Sequence, residues 1–257
     1  MASLVSSFVS RTVEGLGALN TVITGKPEQL GYIAAGAVNV VSSAFGWETP
    51  RKASKAVLMP LLAAGVIRRR NDVSPVTTAT LLAGLTAGWI GDLVLMPKDA
   101  KLSNGAAAFS LNQLAYVGLL ARGGARPDVA RTAIRGPLMA GSVALAAKCD
   151  RSLLPVVFSY GSLLAAVSIL ADDRGLVATA GEVEKCPDSG LPLADARYGL
   201  GHGGNLFLIS DSLLMLNSLV GKESVVGKLL DAAVMDTYIA AQLLLVEGLI
   251  ALDPADD

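Results

Sequence analysis

Charge is scarce in this chain. Only 17% of its 257 residues are Asp, Glu, Lys or Arg, against 52% hydrophobic ones, and the mean hydropathy is +0.53. A soluble globular domain carries about a quarter charged residues. The deficit, together with long uncharged runs, places the chain among integral membrane proteins. Histidine is scarcer still: His202 is the only one, which all but excludes a His-based triad or a multi-histidine metal centre. Cysteine is limited to Cys149 and Cys186, too few for a disulfide framework and without metal-ligand spacing. The basic residues sit in short clusters between apolar runs and leave no footprint for nucleic acid. The start, MASLVSSFVSRTVEGLG, lacks a basic segment followed by an apolar one, so no cleaved signal peptide is expected. Nothing in the residue inventory calls for a cofactor or a metal.

What the chain does have is a series of uncharged windows. Eight candidate spans lie near 31–47, 55–67, 76–96, 102–121, 133–147, 152–171, 200–220 and 231–251. They are too long for barrel strands and lack the strict alternation a barrel needs, so they read as helices. Gly and Ala recur in them, as in 31-GYIAAGAVNV-40, which suits close helix–helix approach in lipid. The expected fold is an all-α polytopic membrane bundle of about eight transmembrane helices over 31–251. Residues 1–30 form an N-terminal segment, amphipathic or disordered, and 252–257 an acidic tail. The polar stretch 172–199, rich in Gly, Pro and Asp, reads as an extramembrane loop with room for disorder.

With a cytoplasmic N-terminus, loops on that side hold 12 Lys and Arg residues against 9 on the other. The positive-inside preference is therefore for N-in and C-in, in the plasma membrane. The two halves also echo one another. Gly91-Asp92 precedes Leu95-Met96 in the third span, and Ser210-Asp211 precedes Leu214-Met215 in the seventh. Two parallel four-helix repeats would bring the two Asp helices together, with coincidence as the alternative.

An ionised side chain inside a span costs about 2.5–3.5 kcal/mol on insertion scales, so each is a functional candidate. Asp92 in 88-GWIGDLVLM-96 and Asp211 in 206-LFLISDSLLML-216 stand out. Two carboxyls facing one cavity push their proton affinities apart, so one serves as acid and the other as base or electrostatic stabiliser. Each could instead bridge helices. Tyr238 and Gln242 share a face at i and i+4, and Gln113 and Tyr116 make a second polar stripe at i and i+3. Asn39 is the one strongly polar side chain of the first span. Singly, buried amides and phenols more often tie helices than bind substrate. The run 199-GLGHGG-204 matches G-x-G-x-x-G formally, but no strand precedes it, and its glycines read as packing positions.

Six blocks in order carry a resemblance: 54-SKAVLMPLLAAGV-66, 88-GWIGDLVLM-96, 109-FSLNQLAY-116, 155-PVVFSY-160, 207-FLISDSLLMLN-217 and 235-MDTYIAAQLLLVEG-248. Over roughly 31–251 the chain resembles the lysoplasmalogenase, or YhhN-like, family of multispanning membrane proteins. Three departures stand out. Gln113 occupies a position where many relatives carry His, Val167 one where many carry Met, and the 172–199 loop is longer than usual.

The resemblance implies an eight-helix bundle that hydrolyses the vinyl-ether bond of lysoplasmalogens to a fatty aldehyde and a glycerophospho-base. Vinyl ethers hydrolyse by protonation at the β-carbon, followed by water capture of an oxocarbenium ion. Glycosidases meet a related transition state with paired carboxyls. On this reading Asp92 and Asp211 are the catalytic pair. Lys55, Gln113, Tyr116, Tyr160, Tyr238, Gln242 and Asn39 contact the substrate, with Lys55 either meeting the phosphate or snorkelling. The partners are a lipid substrate and the bilayer. A proton-coupled transporter of small molecules or lipids, using the same two acids, is the alternative.

Overall fold

The structure is a computed structural model describing residues 2–23, 26–97, 100, 102–149, 151–187, 189–218, 220 and 224–253, without the side chains of residues 2–5, 102 and 149. The Cys149 side chain, the basic residues Lys98, Lys101 and Lys222, and residues 254–257 of the acidic tail thus lie outside the described residues. Among these, nine α-helices make the fold all-α: α1 (Ala2–Ile23), α2 (Pro27–Phe45), α3 (Glu48–Arg68), α4 (Pro75–Val94), α5 (Leu102–Arg122), α6 (Val129–Cys149), α7 (Leu154–Ala171), α8 (Gly199–Asn217) and α9 (Val225–Leu252). Helices α2 to α9 correspond in order to the eight apolar windows. Two of them, Arg151–Ala171 and Val225–Leu252, are long and apolar enough to cross a membrane by length and composition.

Helix ends follow local chemistry. Pro27 and Pro75 open α2 and α4, where the missing N–H costs nothing. Ser74 caps α4 by accepting from the Thr77 N–H, and Ser224 caps α9 through the Gly227 N–H. Gly46, at φ +72°, closes α2 and turns the chain into α3. Helix α3 begins seven residues before the apolar window at 55. Its first two turns carry Glu48, Arg51 and Lys52, charges that an uncharged-window reading leaves in a loop.

Helices α2 to α5 pack in sequence order, as do α6 to α9, and α9 closes the bundle against α2. Helix α5 packs on α4 and α7, whereas α6 leans chiefly on α7. A symmetric repeat of four helices would pair α5 with α6 as it pairs α9 with α2, so the packing departs from one. The glycines of 199-GLGHGG-204 seat α8. A Cβ on Gly203 would stand 3.1 Å from both the Ala241 carbonyl oxygen and the Leu245 nitrogen of α9. One on Gly204 would stand 3.0 Å from the Ser168 Cα of α7. Backbone approach of this kind admits only glycine.

The stretch 172–199 is folded in its described part. Short 3-10 turns at Arg174–Val177 and Ala196–Tyr198 flank a two-stranded ribbon, β1 (Glu184–Lys185) with β2 (Pro192–Leu193). Helix α1 packs on this cap and is tied to it. Asn20 Nδ2 donates to the Pro192 carbonyl at 3.1 Å, the Ala194 N–H donates to Thr21 Oγ1 at 3.2 Å, and Arg174 pairs with Glu14 at 2.8 Å. His202 lies here too, its Nε2 2.9 Å from the Arg11 carbonyl oxygen, a contact that requires the Nε2–H tautomer.

Ion pairs concentrate at the same end. Glu247, 3% exposed, is held by Arg69 and by Lys26 at 3.2 Å. Arg135 reaches Asp172 and Asn205 at 2.7 Å each, Ser168 at 2.9 Å, and shares Asp172 with Arg11. Asp253 accepts from the hydroxyls of Ser74, at 2.5 Å, and Thr77, stapling the end of α9 to the start of α4.

That staple has a pH signature. Hydrogen bonds from Ser74 and then Thr77 hold the Asp253 carboxyl below the usual aspartate range. A depressed folded-state value stabilises the fold fully above the unfolded value, near ~3.9, and the contribution is lost as pH falls through the folded value. Asp253→Asn should therefore cost about 1 kcal/mol at neutral pH. The gap between the melting curves of wild type and variant should close below that acid range.

Candidate active site

Opposite the ion-paired end, one cavity of about 500 Å3 opens among α2 to α9. Its lining comes from the C-terminal parts of α2, α4 and α8 and the N-terminal parts of α3, α5, α7 and α9. The bundle therefore gathers at one end residues more than a hundred positions apart. Asp92 of α4 and Asp211 of α8 both line this cavity, as do Lys55, Tyr160 and Tyr238.

Asp92 is 1% exposed and doubly compensated. Lys55 Nζ lies 3.2 Å from Oδ1, and the Tyr238 hydroxyl donates to Oδ2 at 3.0 Å. The Tyr238 ring is fixed in turn, stacked on Phe207 at 5.5 Å and edge-on to Phe109 at 6.1 Å. Phe109 reaches that position because α4 carries Gly91 beneath it: a Cβ there would stand 2.8 Å from the Phe109 ring. Asp211 has a different neighbourhood. It accepts a short hydrogen bond from the Tyr160 hydroxyl, and among the described residues no cation pairs with it. Lys55 and Asp92 lie within electrostatic range of it. One carboxyl thus sits in an ion pair, and the other is left with a phenol.

The remaining residues singled out by the sequence fall behind the cavity wall. The Tyr116 hydroxyl donates to Gln242 Oε1, and Gln242 Nε2 reaches Asn112 Oδ1 at 3.4 Å. Asn112 in turn donates to the Gly84 carbonyl at 2.9 Å, so Tyr116 and Gln242 belong to a network that joins α4, α5 and α9. Asn39 donates to the Arg51 carbonyl at 2.7 Å and to Ser54 Oγ at 2.9 Å, tying α2 to α3. Gln113 is fully buried, with its amide next to the Tyr160 phenol. For Tyr116, Gln242 and Asn39 the physical reason is common: a buried amide or phenol needs a partner, and neighbouring helices supply one closer than the cavity does. Neither amide atom of Gln113 has a hydrogen-bond partner among the described residues.

Sequence reasoning missed the cavity's outer rim. Glu48 and Arg51 in the first two turns of α3, and Lys228 and Asp231 in the first two turns of α9, line its mouth. The available signal was the opposite-charge spacing at i and i+3 in each pair, just outside an apolar window. Arg51 lies 3.3 Å from Glu48 and 3.7 Å from Asp231, bridging the two helices.

A model of the YhhN family matches residues 51–249, which include both aspartates, Lys55 and every helix from α3 to α9 in whole or large part. No curated protein and no solved structure gives a significant match. The family match covers well over half of the chain, from the turn that carries Arg51 to the last turn of α9, and the protein belongs to the YhhN family.

Proposed function

We propose that this protein is a multi-pass membrane hydrolase that cleaves the vinyl-ether bond of lysoplasmalogens, with α2 to α9 crossing the bilayer and both termini cytoplasmic. The observation that carries this reading is the unequal pair of carboxyls lining one apolar-walled cavity. Asp92 lies beside an ammonium and a phenol, whereas among the described residues Asp211 is hydrogen-bonded only by a phenol. Vinyl-ether hydrolysis needs this division of labour.

Asp211 is the acid. It delivers a proton to the β-carbon of the alkenyl chain, leaving an oxocarbenium ion between the α-carbon and the glycerol oxygen. Asp92 is the carboxylate. Its negative charge faces the developing cation, and it accepts a proton from the water that attacks the α-carbon. The hemiacetal so formed gives its hydroxyl proton to Asp211 and breaks its bond to the glycerol oxygen, which takes the proton held by Asp92 and leaves as the alcohol, so both carboxyls return to their starting states. The carbonyl oxygen of the aldehyde then comes from water, and one water is consumed in all. Tyr160 orients Asp211, with Gln113 behind it, and Tyr238 orients Asp92. Tyr116, Gln242 and Asn39 act as positioning residues for the helices that carry them. The alkenyl chain lies among Leu138, Met139, Val157 and Leu164, which line the same cavity.

Replacing either acid separates this reading from a structural role. Asp92→Asn and Asp211→Asn should each lower aldehyde release from a lysoplasmalogen by about 100-fold or more, the usual contribution of a positioned acid or base. Asp211→Asn should melt close to wild type, whereas Asp92→Asn, which leaves Lys55 without its partner, should melt lower and is assayed below its midpoint. Turnover near wild type in both variants would overturn the mechanism, and proton-coupled uptake into proteoliposomes without aldehyde release would replace it with a transporter.

Lys55 is tested by a double-mutant cycle. Lys55→Met leaves Asp92 as an unpaired buried charge and should cost about 3 kcal/mol. Combining it with Asp92→Asn should recover most of that stability and none of the activity.

A further inference from the structure

We infer that the mouth of the cavity is a subsite for a zwitterionic phosphodiester headgroup, with the phosphate on Lys228 and Arg51 and the ammonium on Asp231 and Glu48. This rests on the reading that the cavity takes a lysolipid. Among the described residues, these four are the charged side chains of the cavity beyond the Lys55–Asp92–Asp211 group, two of each sign. Their formal charges cancel. A rim of this composition suits a ligand carrying one charge of each sign better than a net anion, because a phosphate brought in alone would leave both carboxylates facing it.

The cations are available for a ligand. Lys228 forms no ion pair among the described residues, and its chain extends over the turn between α2 and α3. Its Cε and Nζ stand 3.0 and 3.1 Å from where a Cβ on Gly46 would be. Glycine is needed at that position for the positive φ and again for the lysine to lie across it. Arg51 is only 19% exposed, yet its contacts to Glu48 and Asp231, at 3.3 and 3.7 Å, are long for charge-assisted hydrogen bonds. A phosphodiester can take up the guanidinium's free donors as a fork, and Asp231 so released can turn to the ammonium, with Glu48, which keeps Lys52 at 3.2 Å, beside it. Asn39 fixes the backbone beneath, through its bond to the Arg51 carbonyl.

Lys55 is the other cation in reach, and it is committed. It sits against Asp92 at 3.2 Å, below the rim. Drawing it onto a phosphate would strip the catalytic carboxylate of its partner. The phosphate therefore belongs at the rim.

The test uses saturated alkyl-ether lysolipids, which lack the vinyl bond and cannot be cleaved by this chemistry. Their binding to the full-length purified protein in detergent is measured by calorimetry for three heads: phosphoethanolamine, phosphate monoester, and none. Wild type should bind the phosphoethanolamine lipid about 10-fold tighter than either of the others, the worth of one charged hydrogen bond. Lys228→Gln should weaken both phosphate-bearing lipids by about 10-fold and leave the alkylglycerol unchanged. Asp231→Asn should weaken the phosphoethanolamine lipid alone. Equal binding of all three heads by wild type would overturn the subsite, as would unchanged phosphate binding in a folded Lys228→Gln variant. Should Asp231→Asn not fold, Glu48→Gln reads the ammonium side in its place. Wild type that binds the phosphoethanolamine lipid with this preference, but releases no aldehyde from its vinyl-ether counterpart, would overturn the proposed reaction and leave the subsite standing.

Discussion

The contact between Lys55 and Asp92 is the constraint around which this bundle is arranged. A carboxylate that is 1% exposed among apolar helices is tolerable only with a cation at hand, and the cation must itself come from a turn of helix that faces inward. That requirement fixes α3 against α4 at one height. Tyr238 adds α9 to the same point through its hydroxyl, and the rings of Phe109 and Phe207 hold the phenol there from α5 and α8. Five helices thus meet at one carboxylate. Asp211 inherits the remaining space, with a phenol for company and, among the described residues, no cation paired with it.

The two ends of the bundle handle charge in opposite ways. At the capped end, charges are consumed by one another: Arg69 and Lys26 on Glu247, Arg135 and Arg11 on Asp172, Arg131 on Asp173. Such networks position helices. At the open end the rim charges are held loosely, and the cavity beneath them is walled by side chains that suit a hydrocarbon chain. Rigid packing at one end and loosely held charge at the other is what a site for an amphipathic substrate requires.

Much of the fold is legible in the sequence, because insertion in lipid demands long uncharged helices and these cannot be hidden. Each of the eight windows became a helix, lengthened where charged first turns extend it, as at Glu48–Ser54 of α3 and Val225–Leu230 of α9, and cut short at the C-terminal ends of α2, α4 and α8. Asp92 and Asp211 were legible for the same reason, as charges where charge is costly. The polar residues of neutral character were not. Gln113 and Tyr116 share a stripe on α5, yet Gln113 faces Tyr160 of α7 while Tyr116 bonds Gln242 of α9, a choice made by which helices pack on either side. Periodicity reports the face of a helix and not its neighbour. The rim residues were missed for the converse reason: opposite charges at i and i+3 mark these first turns as helical, but the spacing does not say that they face inward.

The central claim is that an enzyme acid protonates carbon. The rate of aldehyde release in a single turnover of the purified protein, compared in H2O and D2O, tests it most directly. Proton transfer from an enzyme carboxyl to carbon in the rate-limiting step predicts release several-fold slower in D2O. Equal rates in the two solvents would contradict it.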